Sequence, residues 1–415
     1  MSIIDLTDIE SAAQRLQGVL HPTPLARSDT FSRIADTEIY LKNENLQKTG
    51  SFKIRGAYNK VSLLRAAGEA REVVAASAGN HAQGVAFAAT RLGLKSKIVM
   101  PRSTPIAKVK ATEGYGAEVV LQGDCYDEAH AAALEIQEQS GAVFIHPFDD
   151  PAVIAGQGTI GPEILKDLPN VDVVFVPAGG GGLLAGVAYY LKTINPRIRV
   201  IGVQAAGANA IEQTFRARQL VSTELTSTIA DGIAVKTPGL LTTELILEYV
   251  DDVISVSDAQ ISSAILTLLE RCKQLVEPAG AAALAAAIGC SSDIPGQQSS
   301  ACVDIRGKRS VCILSGGNID VGFINRLIEL GLAARGRRLK FSIVLHDVPG
   351  SLERVAHLIA KASANVIRVQ YDRIGADLDP LDVILHITCE VSDHKHGQEV
   401  MDALARAGYT AALEP

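Results

Sequence analysis

Short runs of β-branched residues recur along most of this chain: "EVVAAS" from residue 72, "SKIVMP" from 96, "AEVVLQ" from 117, "VDVVFVPA" from 171, "RVIGVQA" from 199 and "SVCILSGGN" around 315. Between them lie stretches such as "NHAQGVAFAATRLG" and "CYDEAHAAALEIQEQSG", which are apolar at helical spacing. Runs that are apolar on both faces, separated by amphipathic helices, are the pattern of parallel strands covered on each side, so the fold class is α/β. Further helix is expected over "AQISSAILTLLERCKQLV" and the alanine-rich "PAGAAALAAAIG". Residues 290–310, "CSSDIPGQQSSACVDIRGKRS", are polar, aperiodic and rich in Gly, Pro and Ser, and are expected to form an exposed loop.

The rhythm changes at the basic stretch "LAARGRRLK", residues 332–340. Beyond it a strand "KFSIVLHD" stops at Pro349-Gly350, and Ser351 is placed to cap a helix with Leu352, Val355, Ala356 and Ile359 on its apolar face. Two strands follow, "NVIRVQYDR" and "LDVILHITCEV", then the helix "HGQEVMDALARAG" and a short strand "TAALE". The order β-α-β-β-α-β is the ferredoxin-like plan. The expected division is therefore a main region over 1–331, a linker over 332–338 and a small domain over 339–415. His394 and His396 in "DHKH" lack a third ligand nearby and read as a solvated turn.

With 415 residues, 47% of them hydrophobic and 20% charged, the chain can bury more than one core. A net charge of -7 without a basic, aromatic-bearing patch argues against nucleic acid, and the acidic amphipathic N-terminus with no long apolar run argues against export or a membrane. The six cysteines show no Cys-x-x-Cys pair, which fits reduced thiols in a cytoplasmic protein. The expected partner is a small molecule.

Three stretches carry chemistry. In "KTGSFKIRGA", Lys53 lies between an aromatic residue and an arginine just after a Gly-Ser turn. In "VFVPAGGGGLLAG", a strand runs into Gly179, Gly180, Gly181 and Gly182 and then into a helix, a loop whose backbone N–H groups can surround a phosphate. Gly180, Gly182 and Ala185 also satisfy the dinucleotide pattern of a dehydrogenase, but the acidic ribose ligand expected at the end of the next strand is replaced by Gln204. In "ASAGNHAQG", Ser77, Ala78, Gly79, Asn80 and His81 stand at a strand end and helix start, suited either to a substrate carboxylate or to an ordinary helix cap by Asn80. An amine, a phosphate cradle and a carboxylate site together are what a pyridoxal phosphate enzyme needs.

The motifs "KTGSFKIRGA", "SAGNHAQG", "AGGGGLLAG" and "LSGGNID", in this order, resemble the threonine dehydratase and serine racemase group within the tryptophan-synthase-β-like pyridoxal phosphate fold (fold type II). The tail, including "DVPGSL", resembles an ACT domain. The resemblance implies a two-lobed catalytic region, pyridoxal 5'-phosphate as cofactor, β-elimination of water from L-threonine or L-serine, and a homodimer or homotetramer with an amino-acid effector. It implies Lys53 as the lysine that carries the cofactor, Phe52 beside its ring, Asn80 on its ring hydroxyl, Gly179 to Leu183 around its phosphate and Ser315 at its pyridine nitrogen. Glu277 in "VEPAGAAAL" reads equally as a cofactor neighbour or as a helix-start acid. Relatives that racemise resemble "SSGNH", where this chain has Ala78, so dehydration is favoured; a serine-preferring dehydratase, a β-replacement enzyme or a non-catalytic amino-acid sensor are the alternatives. Asp347, Gly350 and Asn365 are the implied regulatory contacts, although Tyr371 stands where relatives often show histidine. No metal-ligand cluster is assignable.

Overall fold

The computed structural model of the chain describes residues 3–289, 303–373 and 378–414. Most of the expected loop over 290–310, with Cys290 and Cys302, lies outside the described residues. The chain divides into two compact units, Met1–Val321 and Gly322–Pro415.

The first unit contains strands β1 (Leu25–Arg27), β2 (Glu38–Lys42), β3 (Glu72–Ala76), β4 (Lys95–Met100), β5 (Glu118–Leu121), β6 (Val143–Phe144), β7 (Val173–Pro177), β8 (Arg199–Ala205), β9 (Asp252–Val256) and β10 (Arg309–Ile313). They form two sheets. One has the order β1-β2-β10-β7-β8-β9, parallel except for β1; the other has the order β5-β4-β3-β6 and is wholly parallel. Each of the six runs read from the sequence is one of these strands. Burial is complete along β7 and nearly so along β3, β8 and β10, which is what made these conspicuous as apolar runs, whereas no residue of the edge strand β5 is fully buried. Strands β1, β2, β6 and β9 are shorter or carry charged residues and gave no such signal. The helix Pro278–Gly289 is buried at every position against the larger sheet, with alanines that let it approach closely.

The described end of the 290–310 stretch departs from the expectation of an exposed loop. Val303 and Ile305 are 2% and 1% exposed. Thr37 Oγ1 lies 2.7 Å from the carbonyls of both Ile305 and Lys308, which share its one O–H, and it accepts from the Lys308 backbone N–H at 3.1 Å, so the polar backbone is satisfied while the apolar side chains pack.

The second unit opens with the helix Val321–Ala334, which begins ahead of the linker expected at 332–338 and is tied to the tail by Glu329 on Arg338 at 3.0 Å. Strands β11 (Arg338–His346), β12 (Asn365–Asp372), β13 (Asp382–Glu390) and β14 (Ala411–Leu413) form an antiparallel sheet of order β12-β13-β11-β14. With the helices Ser351–Lys361 and His394–Arg406 this is the ferredoxin-like plan. Along β11 and β13 buried residues alternate with more exposed ones, because the two helices cover one face only. The helix cap expected from Ser351 is instead Gly350, held at φ 89°, and Ser351 is the first helical residue. His396 bonds the carbonyl of Ala362 at 2.7 Å and accepts from the Ser392 backbone N–H at 3.0 Å, a structural turn.

The most concentrated electrostatic feature lies behind the helix Lys53–Ala67. Arg55, fully buried, donates to both oxygens of buried Glu44 at 2.7 and 2.8 Å and to both oxygens of Glu163 at 2.6 and 2.8 Å. Lys42 Nζ adds 2.7 Å contacts to Glu163 and to the carbonyl of Thr23, whose hydroxyl closes the ring onto Glu44. Two cations face two carboxylates, so burial leaves no net charge. Replacing Arg55 by Met strands the Glu44 carboxylate, and the expected destabilisation is about 3–5 kcal/mol, read from the urea midpoint. Arg27→Met, which removes a surface pair with Asp29, is expected to change stability by less than about 1 kcal/mol; equal effects for the two would count against a central role for Arg55.

Candidate active site

The strand order places the site. In the larger sheet β2, β10 and β7 are neighbours, so the segments leaving their carboxyl ends, 43–53, 314–318 and 178–182, lie side by side. In the smaller sheet β3 and β6 are neighbours, and the segments 77–80 and 145–148 leave them. All five reach one cavity of about 600 Å³, the place where ligands bind in open α/β sheets.

Lys53 is the first residue of its helix and is not screened by a side-chain cap. Its loop is laced to the one after β10: Phe52 N–H donates to Ser315 O at 3.0 Å, Gly317 N–H donates to Gly50 O at 2.8 Å, and Ser51 bridges Gly316. The amine donates to Pro147 O at 2.8 Å and stands 5.4 Å from the centre of the Phe52 ring. Burial lowers its pKa from 10.5 to about 8, with the nearby Glu277 carboxyl opposing the change. An amine in this state is half free base in mildly alkaline solution.

Gly179 to Gly182 join β7 to the helix Gly182–Ile194, and Gly181 occupies its cap at φ 98°. A Cβ on Gly180 would fall 2.3 Å from the Phe148 ring, so only glycine lets the loop pass beneath it. No side chain caps the helix, which leaves its first N–H groups to the cavity that Gly182 and Leu183 line. Gln204, the residue that spoke against a dinucleotide, is buried and donates to Ala178 O at 3.1 Å.

The choice left open for Asn80 falls against an ordinary cap. Gly79 is the cap residue, without a side-chain bond, and a Cβ there would meet nothing within 4 Å. Asn80 Nδ2 instead donates to Glu277 Oε1 at 2.7 Å, and its Oδ1 accepts from Asn318 Nδ2 at 2.7 Å. His81 is 3% exposed; its Nε2 faces the Ile145 carbonyl at 2.8 Å, and burial drives its pKa down to about 3, so the ring is neutral. Ser77, Ala78, Gly79, Asn80 and His81 all line the cavity.

Glu277 combines the two readings made of it. It precedes the helix Pro278–Gly289, and its carbonyl accepts from Ala281 N–H at 3.0 Å, yet its side chain is buried on the cavity wall. Burial first, then the charge of Asp231, raises its pKa to about 8, against the pull of Asn80, so at neutral pH it is mostly the uncharged acid. Ser315, 3% exposed, also lines the cavity.

Several lining residues had no signal in the sequence. Pro147 and Phe148 come from "HPFDD", which matches no motif, and Lys108–Asp231 at 3.0 Å with Lys236–Asp127 at 3.4 Å pair residues more than a hundred positions apart. Asn318 was within reach, since it ends the stretch "LSGGN". Among the described residues no group of three or more His, Cys, Asp or Glu is placed to hold a metal ion.

The tail residues are not brought together within one chain. Asp347 pairs with Arg373 at 2.8 Å just beyond His346, which stands opposite Asp382. Asn365 stands opposite Glu390, at the other end of β13.

Residues 16–316 match the family described as Pyridoxal-phosphate dependent enzyme. The chain is 46% identical over 411 residues to an L-threonine ammonia-lyase of Thermotoga maritima, covering 99% of this chain and 100% of that one. Among solved structures it resembles the processed form of threonine deaminase isoform 2 from Solanum lycopersicum, with a TM-score of 0.71 and 38% identity over 79% of this chain and 89% of that one. It also resembles maize serine racemase, with a TM-score of 0.72 and 36% identity over 80% of this chain and 98% of that one.

The lowered amine gives a direct test. Because only the free base reacts, acylation of the cofactor-free chain followed by peptide mapping should label Lys53 with a midpoint near pH 8, ahead of surface lysines. A midpoint near 10.5 would show that the amine is not desolvated.

Proposed function

Because this chain belongs to the pyridoxal-phosphate dependent enzyme family, we propose that it converts L-threonine to 2-oxobutanoate and ammonium, and also L-serine to pyruvate. The observation that carries the reading is the convergence of the Lys53 amine, the uncapped glycine loop and the Asn80–Glu277 pair on one cavity. The near full-length likeness to a threonine ammonia-lyase selects the substrate.

The residues present fit pyridoxal 5'-phosphate. The helix start at Gly181 and Gly182 has no cap of its own and suits a phosphate, and the open space at Gly79 leaves the second helix start accessible. Asn80 keeps one N–H beyond the bond to Glu277, and Ser315 offers a neutral hydroxyl. When bound, the cofactor supplies an aldehyde that captures amines and a ring that draws electrons from the substrate's α-carbon.

With the cofactor bound, the Lys53 amine would be the group that holds it and, once released, the base for the substrate's α-proton, a role its lowered pKa suits. The N–H groups around Gly79 and Asn80 receive the substrate carboxylate, while neutral His81 adds no competing charge. Ser315 would present the cofactor with a neutral hydroxyl rather than a carboxylate, which would favour loss of the β-substituent over return of the proton. Ala78 brings no acid to the face opposite Lys53, which disfavours racemisation. The water lost at the β-carbon is regained when the released enamine hydrolyses, so the net change is removal of ammonia.

For the tail, the opposite placement of Asp347 and Asn365 along β13 supports an effector site formed only between two copies. The nine residues of strand from Asp382 to Glu390, eight steps along it, span about 26 Å, too far for one small amino acid. The chain therefore acts as a homodimer or homotetramer, with isoleucine or valine as effector at an ACT-like seam. A cytoplasmic setting agrees with the four described cysteines, none of them in a disulfide among the described residues.

Purified enzyme should show a visible absorbance band, borohydride should trap the cofactor on Lys53, and Lys53→Ala should lose oxo-acid formation from L-threonine by several orders of magnitude. Turnover within tenfold of wild type would overturn the assignment. Isoleucine or valine should alter the threonine KM by about five- to a hundredfold in the full chain, and Gly350→Ala should weaken that response while sparing basal turnover. No response to any amino acid would leave the tail a structural element.

A further inference from the structure

We infer that Asn318 is a positioning residue that fixes which end of the Asn80 amide faces the cofactor. The inference rests on Asn80 being a cofactor contact and adds a residue that need not touch the cofactor itself.

An asparagine amide has two ends of nearly equal size, one that donates and one that accepts, so something must decide which way it points. The decision here starts at a backbone carbonyl. Thr49 O can only accept, and it lies 2.7 Å from Asn318 Nδ2, so the Asn318 nitrogen must face it. The second hydrogen of that nitrogen points to Asn80 at 2.7 Å, with a longer 3.4 Å contact to Gln83 Oε1. Asn80 must therefore present its oxygen to Asn318, which turns its Nδ2 toward Glu277 at 2.7 Å. One of the two Asn80 N–H groups is engaged by Glu277, and the other is left as a donor on the cavity wall. Asn318 also offers its backbone N–H to the Glu277 carboxyl, so one residue holds both neighbours of the Asn80 amide.

The backbone around Asn318 is arranged to admit this contact. Gly50 sits at φ 73°, and a Cβ there would fall 2.3 Å from Asn318 Oδ1. A Cβ on Gly316 would fall 2.2 Å from Glu277 Oε1 and 3.2 Å from Asn80 Nδ2. The Gly-Ser turn that precedes Lys53 and the loop that follows β10 thus close around the relay. A reversed Asn80 would direct an oxygen at the acceptor on the cofactor ring, exchanging a hydrogen bond for repulsion.

The test is a double-mutant cycle on the full chain with pyridoxal 5'-phosphate as the probe. Asn318→Asp keeps the size of the side chain but offers only acceptors to Asn80, and Asn318→Ala releases it. The readouts are the cofactor dissociation constant and the position and pH titration of the visible band. Asn318→Asp should weaken binding about tenfold or more and displace the band, and should do neither when Asn80 is already Ala. An unchanged band and affinity, or an equal effect in the Asn80→Ala background, would overturn the relay while leaving the cofactor site standing. If near-ultraviolet circular dichroism shows that Asn318→Asp has lost its packing, Asn318→Ala completes the same cycle with the same expectation. A wild-type chain that forms no visible band with the cofactor would instead refute the cofactor reading, and the relay with it.

Discussion

The buried guanidinium of Arg55 is the interaction on which the arrangement of the site depends. It holds two carboxylates by both oxygens each, and those carboxylates belong to different parts of the chain: Glu44 follows β2, and Glu163 lies in the helix Ile160–Asp167. Lys53 and Arg55 are two positions apart at the start of one helix and so project in widely different directions. Anchoring Arg55 on one side therefore sets Lys53 on the other. Isolated ions at this depth would be strongly destabilising, and the balance of two cations and two carboxylates is what makes their burial tolerable. Glu163 retains partial exposure, so the fully buried Arg55–Glu44 pair dominates the energetics.

Burial also sets the chemistry of the cavity. Withdrawal from water pushes the Lys53 amine down to about 8, the Glu277 acid up to about 8 and the His81 ring down to about 3, in each case toward the neutral form. At neutral pH the groups that line the site thus carry less charge than their residue types imply. The two helix starts at the cavity carry no side-chain cap, and their backbone N–H groups can attract an anion without any titratable side chain. The amine can exchange a proton, and the helix starts stay attractive to a phosphate and a carboxylate across the same pH range.

Much of the fold was legible because the buried parallel strands are unbroken apolar runs and the glycine loop is a conspicuous departure from them. The tail was legible for the opposite reason, since a sheet with one covered face writes its alternation into the sequence. What escaped notice was whatever depends on partners distant in the chain. Val303 and Ile305 read as part of a polar loop, but Thr37, far upstream, satisfies the backbone and allows them to pack. Ser351 has the chemistry of a helix cap, yet the φ of 89° at Gly350 moves the cap one residue back. Phe148 belongs to no motif and becomes visible only where its ring lies against Gly180.

The sequence by itself determined six strands of the main region, the plan of the tail and the residue types available for chemistry: a lysine after a tight turn, glycines between a strand and a helix, and small residues at a second strand end. Those are local properties, governed by the periodicity of burial and by the conformations a glycine permits. Only the tertiary structure decided that β10 lies between β2 and β7, which brings the loop bearing Ser315 beside Lys53 on one side and the glycine loop on the other. Only it decided that Asn80 faces Glu277 and Asn318 rather than capping its own helix. The direction of an amide and the charge of a buried acid are set by what stands within a few ångströms, and those neighbours come from segments nearly two hundred residues or more away in the chain.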